Sequence, residues 1–216
     1  MKEKLIFPSM MCADLGYLAD EVDALVEAGV DGFHMDFMDG TYVPNFSMGL
    51  QDLEYVRKAT DKLVDVHLMI QNPSRYIELF AGIGVDIIYI HPDSDIHPAR
   101  TLDDIRAKGV KAGIAINPGT SLESVKELFP LCDYVMVMTV NPGFAGQTYL
   151  SYVDDKIKRL IEMQKNYSFD ITVDGAISPE RIKTLGSWGV KGFILGTSAL
   201  FGKEESYKEL VQSYKA

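Results

Sequence analysis

The sequence predicts an α/β protein with a single (β/α)8 TIM barrel over residues 1–216. Three observations predict it. Short apolar runs alternate with stretches of helical periodicity eight times, with no break in composition. The 216 residues, 47% of them hydrophobic, suffice for one barrel, slightly short of the ~250 typical of that fold. The residues suited to chemistry fall at the carboxyl ends of the apolar runs, where such a barrel gathers its site. A doubly wound open sheet is the alternative, but no Gly-x-Gly-x-x-Gly follows the first run.

The first strand is Leu5-Ile-Phe-Pro8-Ser9. Leu18, Val22, Leu25 and Val26 recur at helical spacing across 17–28, and Gly29 is placed to stop that helix. The run 32–37 is brief, aromatic-rich and bounded by Gly, hence a strand. The loop 39–45 is longer than a turn and suited to function. A helix over 49–59 and a strand over 62–69 follow, and Pro73 fits the first turn of a helix running to Phe80. The next pairs are strand 86–91 with helix 99–108, and strand 110–116 with a helix capped by Ser121 and running through Leu128. Strand 134–138, loop 139–147 and helix 153–165 come next. Strand 171–174 precedes a helix opened by Ser178-Pro179-Glu180 and running through Leu185, and strand 192–196 precedes a last helix over 204–214.

The formal net charge is −10 and there is no basic run, which argues against nucleic acid or an anionic membrane as partner. No apolar run approaches a membrane span, and the N-terminal one is too short for a signal peptide. Cys12 and Cys132 form neither a Cys-x-x-Cys motif nor a disulfide framework. The expectation is a cytoplasmic protein, assembled as a homo-oligomer, that acts on a small molecule.

Side chains alternate along a strand, so His34 and Asp36 share a face. A second strand carries His67 and a third ends at Asp174. If these strands belong to one sheet, His34, Asp36, His67 and Asp174 converge. Two imidazoles and two carboxylates suit one divalent metal ion, with Zn the first choice and Fe, Mn or Co open. A lone histidine on an apolar strand is ordinarily a satisfied core residue; the coincidence at three strand ends is what indicates a metal centre. Asp65 has the parity of His67 and is a candidate carboxylate partner for one of the histidines. His91 also ends a strand and is a candidate pocket residue.

Gly143-Phe144-Ala145-Gly146, Gly175-Ala176 and Gly196-Thr197-Ser198 follow the sixth, seventh and eighth strands. The late loops of such barrels bind phosphate through backbone N–H groups. No Lys or Arg lies in these turns, so amides and helix dipoles would hold the anion.

Ser9-Met-Met-Cys-Ala-Asp14, His34-x-Asp36-x-Met38-Asp39-Gly40, Val43-Pro44-Asn45, Asp65-Val-His67-Leu-Met69, Asn141-Pro-Gly-Phe-Ala-Gly-Gln147 and Val173-Asp174-Gly175 resemble the ribulose-phosphate 3-epimerase family nearly end to end. The resemblance implies a barrel of the ribulose-phosphate-binding type with a divalent metal, inverting C3 of a ketose phosphate. It implies His34, Asp36, His67 and Asp174 as metal ligands, with Asp36 and Asp174 also the acid/base pair. It further implies substrate contacts from Ser9, His67, Met69 and the three glycine turns, a wall of Met38, Met69 and Met138, and a lid over 141–147. A related decarboxylase carries Lys where this chain has Asp36, and that reading is discounted. Cys12, Thr139, Ala176, His91-Pro92-Asp93 and the segment 196–201 depart from the common pattern and look more like the hexulose branch, the D-allulose-6-phosphate 3-epimerases. The expected reaction is therefore D-allulose 6-phosphate to D-fructose 6-phosphate. D-Ribulose 5-phosphate to D-xylulose 5-phosphate is the alternative, and a non-catalytic sugar-phosphate binding protein the remote one.

Overall fold

Eight parallel strands form the barrel: β1 (Leu5–Pro8), β2 (Gly32–Asp39), β3 (Leu63–Met69), β4 (Ile87–Ile90), β5 (Lys111–Ile116), β6 (Tyr134–Met138), β7 (Asp170–Asp174) and β8 (Gly192–Leu195). This is a computed structural model, which describes residues 4–216. The first three positions of the predicted 1–216 domain, part of the N-terminal stretch read as no signal peptide, lie outside the described residues. The strands pair in the order β1-β8-β7-β6-β5-β4-β3-β2. A bridge between Ser9 and His34 joins β1 back to β2 and closes the ring. Below it, the Asp31 N–H donates to the Ile6 carbonyl at 3.0 Å, and the Ile6 N–H donates to Asp31 Oδ2 at 2.8 Å. A two-residue antiparallel strand, Phe46–Ser47, pairs with the end of β2.

The helices are α1 (Leu18–Ala28), α2 (Leu50–Ala59), α3 (Ile77–Ile83), α4 (Pro98–Ala107), α5 (Asp154–Gln164), α6 (Pro179–Trp188) and α7 (Tyr207–Lys215). Gly29 stops α1 in the left-handed conformation, at φ 84°. Ser206 and Glu209 form a reciprocal cap, so α7 starts at Tyr207 and not at 204. The helix expected over 121–128 is absent. Two 3₁₀ turns, Leu122–Ser124 and Lys126–Leu131, stand in its place. Ser121 does accept from the Ser124 N–H, but Val125 leaves helical geometry at φ −122° and ψ −4°. Pro130 has no N–H to donate and steers Phe129 away from α geometry. Pro73 likewise opens a 3₁₀ turn, Pro73–Arg75, and α3 begins only at Ile77.

Both faces of the strands are buried, because helices cover one side and the barrel lumen the other. In β2 the outward residues Phe33, Met35 and Phe37 join the helices in one large apolar cluster. Inside the barrel Phe7, Ile87, Tyr89, Ala115, Met136, Met138 and Ile194 form a second. Gly113 makes room for Tyr89, since a Cβ there would lie 2.5 Å from the ring. The lumen is thus largely apolar at its base, where Thr172 Oγ1 lies 3.4 Å from the Tyr89 hydroxyl, and the polar cluster gathers above it. Among the described residues no helix is long and apolar enough to cross a membrane.

Candidate active site

β2 and β3 run in a register that pairs His34 with Asp65 and Asp36 with His67. Asp174, the last residue of β7, reaches the same point across the lumen. One ligand atom from each of His34, Asp36, His67 and Asp174 lies within 4.8 Å of all the others. His34 Nε2 is 3.3 Å from Asp36 Oδ1, and His67 Nδ1 is 3.3 Å from that oxygen and 3.7 Å from Asp174 Oδ2. The predicted convergence is therefore present.

Each floor group is held from behind. Asp65 Oδ1 lies 2.5 Å from His34 Nδ1. A carboxylate there takes the ring N–H and leaves the Nε2 lone pair facing the cluster. Ser9 Oγ donates to Asp36 Oδ2 at 2.7 Å. His91 does not line the cleft; its Nε2 sits 2.8 Å behind His67 Nε2.

These residues fit a divalent cation. His34 Nε2 is buried and has no hydrogen-bond partner among the described residues, an uncompensated cost that coordination would remove. The donor set, two imidazole nitrogens and two carboxylate oxygens, is one that such ions accept. Burial opposes charge on His34, yet the Asp65 and Asp36 carboxylates push its pKa well above the usual imidazole value. The cluster calls for positive charge at its centre, and it could hold a metal ion.

The two carboxylates differ. Burial would push Asp36 up, but the neighbouring His34 and His67 outweigh it and hold the group well below the carboxylate range. Burial and then the Asp36 charge push Asp174 up to about 6. One group is held ionised, and the other can carry a proton near neutrality. The Asp174 side chain keeps 17% of its surface open against 3% for Asp36, so Asp174 is the more accessible of the two.

Above the floor opens a cleft. Ser9, Asp36, Met69, Gly143, Phe144, Ala145, Gly146, Asp174, Gly175, Ala176, Gly196, Thr197 and Ser198 all line it. His34 and His67 do not; both are wholly buried beneath the floor. Met38 and Met138 stand in the wall, as Met69 does. No Lys or Arg lines the cleft among the described residues. The turn after β7 has Gly175 at φ 113° and Ala176 at φ 52°. Thr139 Oγ1 donates to the carbonyl of Asp174 at 2.9 Å and to that of Gly175. The 139–147 loop is braced by Gln147 Nε2, which donates to the carbonyls of Asn141 (2.6 Å) and Phe144 (2.8 Å). Asn45 Nδ2 ties it to the loop after β2 by donating to the Gly143 carbonyl at 2.7 Å.

Sequence reasoning missed Met11, Val140, Pro142, Gln147 and Ile194 as lining residues. Ile194 shares the strand parity of Gly196, and Val140, Pro142 and Gln147 lie in a loop already singled out, so signals existed for these four. Met11 lies in the segment Ser9–Asp14, also singled out, so a signal existed for it too.

The chain matches the model of the ribulose-phosphate 3 epimerase family over residues 5–201. It is 40% identical over 204 residues to a ribulose-phosphate 3-epimerase of Synechocystis sp., covering 93% of this chain and 88% of the relative. With the ribulose-phosphate 3-epimerase of Bacillus subtilis it shares 38% over 208 residues, 95% of each chain. Among solved structures, KGPDC from Streptococcus mutans superposes with a TM-score of 0.72 at 14% identity, covering 99% of this chain and 96% of that one. A 3-hexulose-6-phosphate synthase superposes with a TM-score of 0.68 at 16% identity, over 100% of this chain and 98% of that one. These two likenesses show the fold alone. An isomerase acting as a ketose-phosphate 3-epimerase agrees with every feature above, and the chain belongs to the ribulose-phosphate 3-epimerase family.

Proposed function

We propose that Asp36 and Asp174 invert C3 of D-ribulose 5-phosphate, giving D-xylulose 5-phosphate, over one divalent ion held by His34, Asp36, His67 and Asp174. The observation that carries this is the meeting of two carboxylates, from β2 and β7, with two imidazoles at one cleft floor. Inversion needs a group that takes a proton on one face of the carbon and another that returns one on the opposite face. Asp36, ionised, takes the C3 proton; Asp174, protonated, delivers one from the other side, and the reverse reaction exchanges the roles. Ser9 fixes the Asp36 carboxyl by its bond to Oδ2. Such an ion, Zn first with Fe, Mn or Co open, would supply Lewis acidity for the neighbouring carbonyl and for the negative charge that develops there. Met38, Met69 and Met138 limit water near the reacting carbon. The amides of the turns at Gly143–Gly146, Gly175–Ala176 and Gly196–Ser198 hold the phosphate, and the 141–147 loop closes over it. A cytoplasmic homo-oligomer, one domain per chain, without nucleic-acid or membrane partners, completes the proposal; the net charge of −10 supports the exclusion of nucleic acid.

The relatives' names support the pentulose over the hexulose that the departing residues suggested. Thr139 does not line the cleft, and its hydroxyl is engaged with two carbonyls, a task a serine also performs. Cys12 and Ala176 do line it and sustain D-allulose 6-phosphate as a second reading. The test is kcat/KM for both sugars with metal added. A hundredfold preference for D-ribulose 5-phosphate is expected, about 3 kcal/mol of discrimination. An equal preference for the hexulose would overturn the pentulose assignment. Turnover of neither sugar, with binding retained, would leave a non-catalytic sugar-phosphate binder.

A further inference from the structure

The floor uses one nitrogen of His67 and leaves the other to be accounted for. His67 Nε2 lies 2.8 Å from His91 Nε2, both rings are wholly buried, and their centroids are 5.0 Å apart at 30°. Two imidazole nitrogens at that distance share one proton: one donates and the other accepts. On its opposite edge His67 turns Nδ1 toward Asp36 Oδ1 and Asp174 Oδ2. An imidazole nitrogen ligates a cation only when it carries no proton. A free Nδ1 therefore requires the ring proton on Nε2, and among the described residues the acceptor within reach of that N–H is His91 Nε2. His34 has its proton drawn to Nδ1 by a carboxylate, Asp65; His67 has a second imidazole instead.

We propose that His91 is a positioning residue that accepts the Nε2–H of His67 and so holds His67 in the tautomer whose Nδ1 can bind a divalent cation. This rests on the metal site proposed above. It also fixes the tautomer of His91 itself, whose proton must then sit on Nδ1. That nitrogen is buried without a partner among the described residues, with the Tyr42 ring centroid 4.8 Å from its own. A histidine kept in so unfavourable a place is accounted for by what its other nitrogen does.

The test compares Co²⁺ affinity, by chelator competition, in the full-length wild type, His91→Phe and His91→Gln. Phe keeps the ring volume and removes the acceptor; Gln restores an acceptor oxygen. His91→Phe is expected to weaken Co²⁺ binding 10–100-fold, and His91→Gln to recover all but a few-fold of it. Wild-type affinity in His91→Phe, or equal losses in both variants, would overturn the proposal. Should His91→Phe not fold, long-range ¹H–¹⁵N spectra of the unaltered Zn²⁺-loaded protein decide. A proton on His67 Nε2 with Nδ1 bound supports the proposal, and a proton on Nδ1 refutes it. Wild-type protein that takes up no Co²⁺ would refute the metal site as well, whereas uptake by wild type and His91→Phe alike refutes only the role of His91.

Discussion

The floor and the rim of the cleft are built by opposite means. The floor is made of titratable side chains on β2, β3 and β7; three of them are buried and held by a partner, His34 by Asp65, Asp36 by Ser9 and His67 by His91, while Asp174 is partly open. The rim is made of turns after β6, β7 and β8, with no Lys or Arg lining it among the described residues and with Gly143, Gly146, Gly175 and Ala176 at positive φ. Strands fix a side chain's direction, so groups that must meet within a few ångströms sit on strands. A phosphate can be met by backbone amides, which need the right φ and little side-chain bulk. The difference teaches what perturbs each half: protonation and metal act on the floor, backbone geometry on the rim.

The largest effect is expected from Asp36→Asn and Asp174→Asn. Each removes one partner of the acid/base pair and should lower kcat by ~10²–10⁴-fold in steady-state assays. Either variant keeping half its activity would break the assignment. Asp65→Asn comes next. It leaves His34 Nδ1 without an anionic acceptor and should weaken Zn²⁺ binding by ~10–100-fold, measured by chelator competition; unchanged affinity would make Asp65 a plain buried residue.

The pH response separates the floor carboxylates from each other. Asp174 is pushed up to about 6, whereas Asp36 is held ionised throughout that range. His34 is also raised well above the usual imidazole value and needs a free Nε2 to ligate, so metal affinity should already decline as the pH falls toward 7 and should steepen below about 6, where Asp174 adds a second competing proton. Calorimetric titrations showing no steeper fall below about pH 6 would remove Asp174 from the ligand set. The smallest effect belongs to the rim. Ala176→Gly relieves a left-handed alanine but adds chain entropy to the unfolded state, so a stabilisation below ~1 kcal/mol is expected in thermal unfolding. A loss of stability there would mean that the alanine methyl packs usefully.

Most of the strands and all four floor residues, His34, Asp36, His67 and Asp174, are legible in the sequence. A strand buried on both faces shows as an unbroken apolar run, and a charged or imidazole group inside such a run is conspicuous. The helix over 121–128 is not, because helical spacing says nothing of what Val125 and Pro130 do to the backbone. Parity alone places Asp65 correctly. It does not place His91, whose task depends on the packing of three strands, and a sequence carries no register. Thr139 reads as a mark of the pocket although it directly follows Met138, which faces the lumen; alternation turns it away.

The closure of the ring by β1 and β8 has a consequence in time. β8 comes from the far end of the chain and pairs with β1 next to the cleft. A contact between such distant segments carries a high loop-closure cost and tends to be made late. The turn after β8, which lines the cleft, takes its place beside Ser9 only once that pairing has formed. Refolding chains should accordingly regain their helical signal before their catalytic competence, and turnover becomes a clock for the last step of assembly.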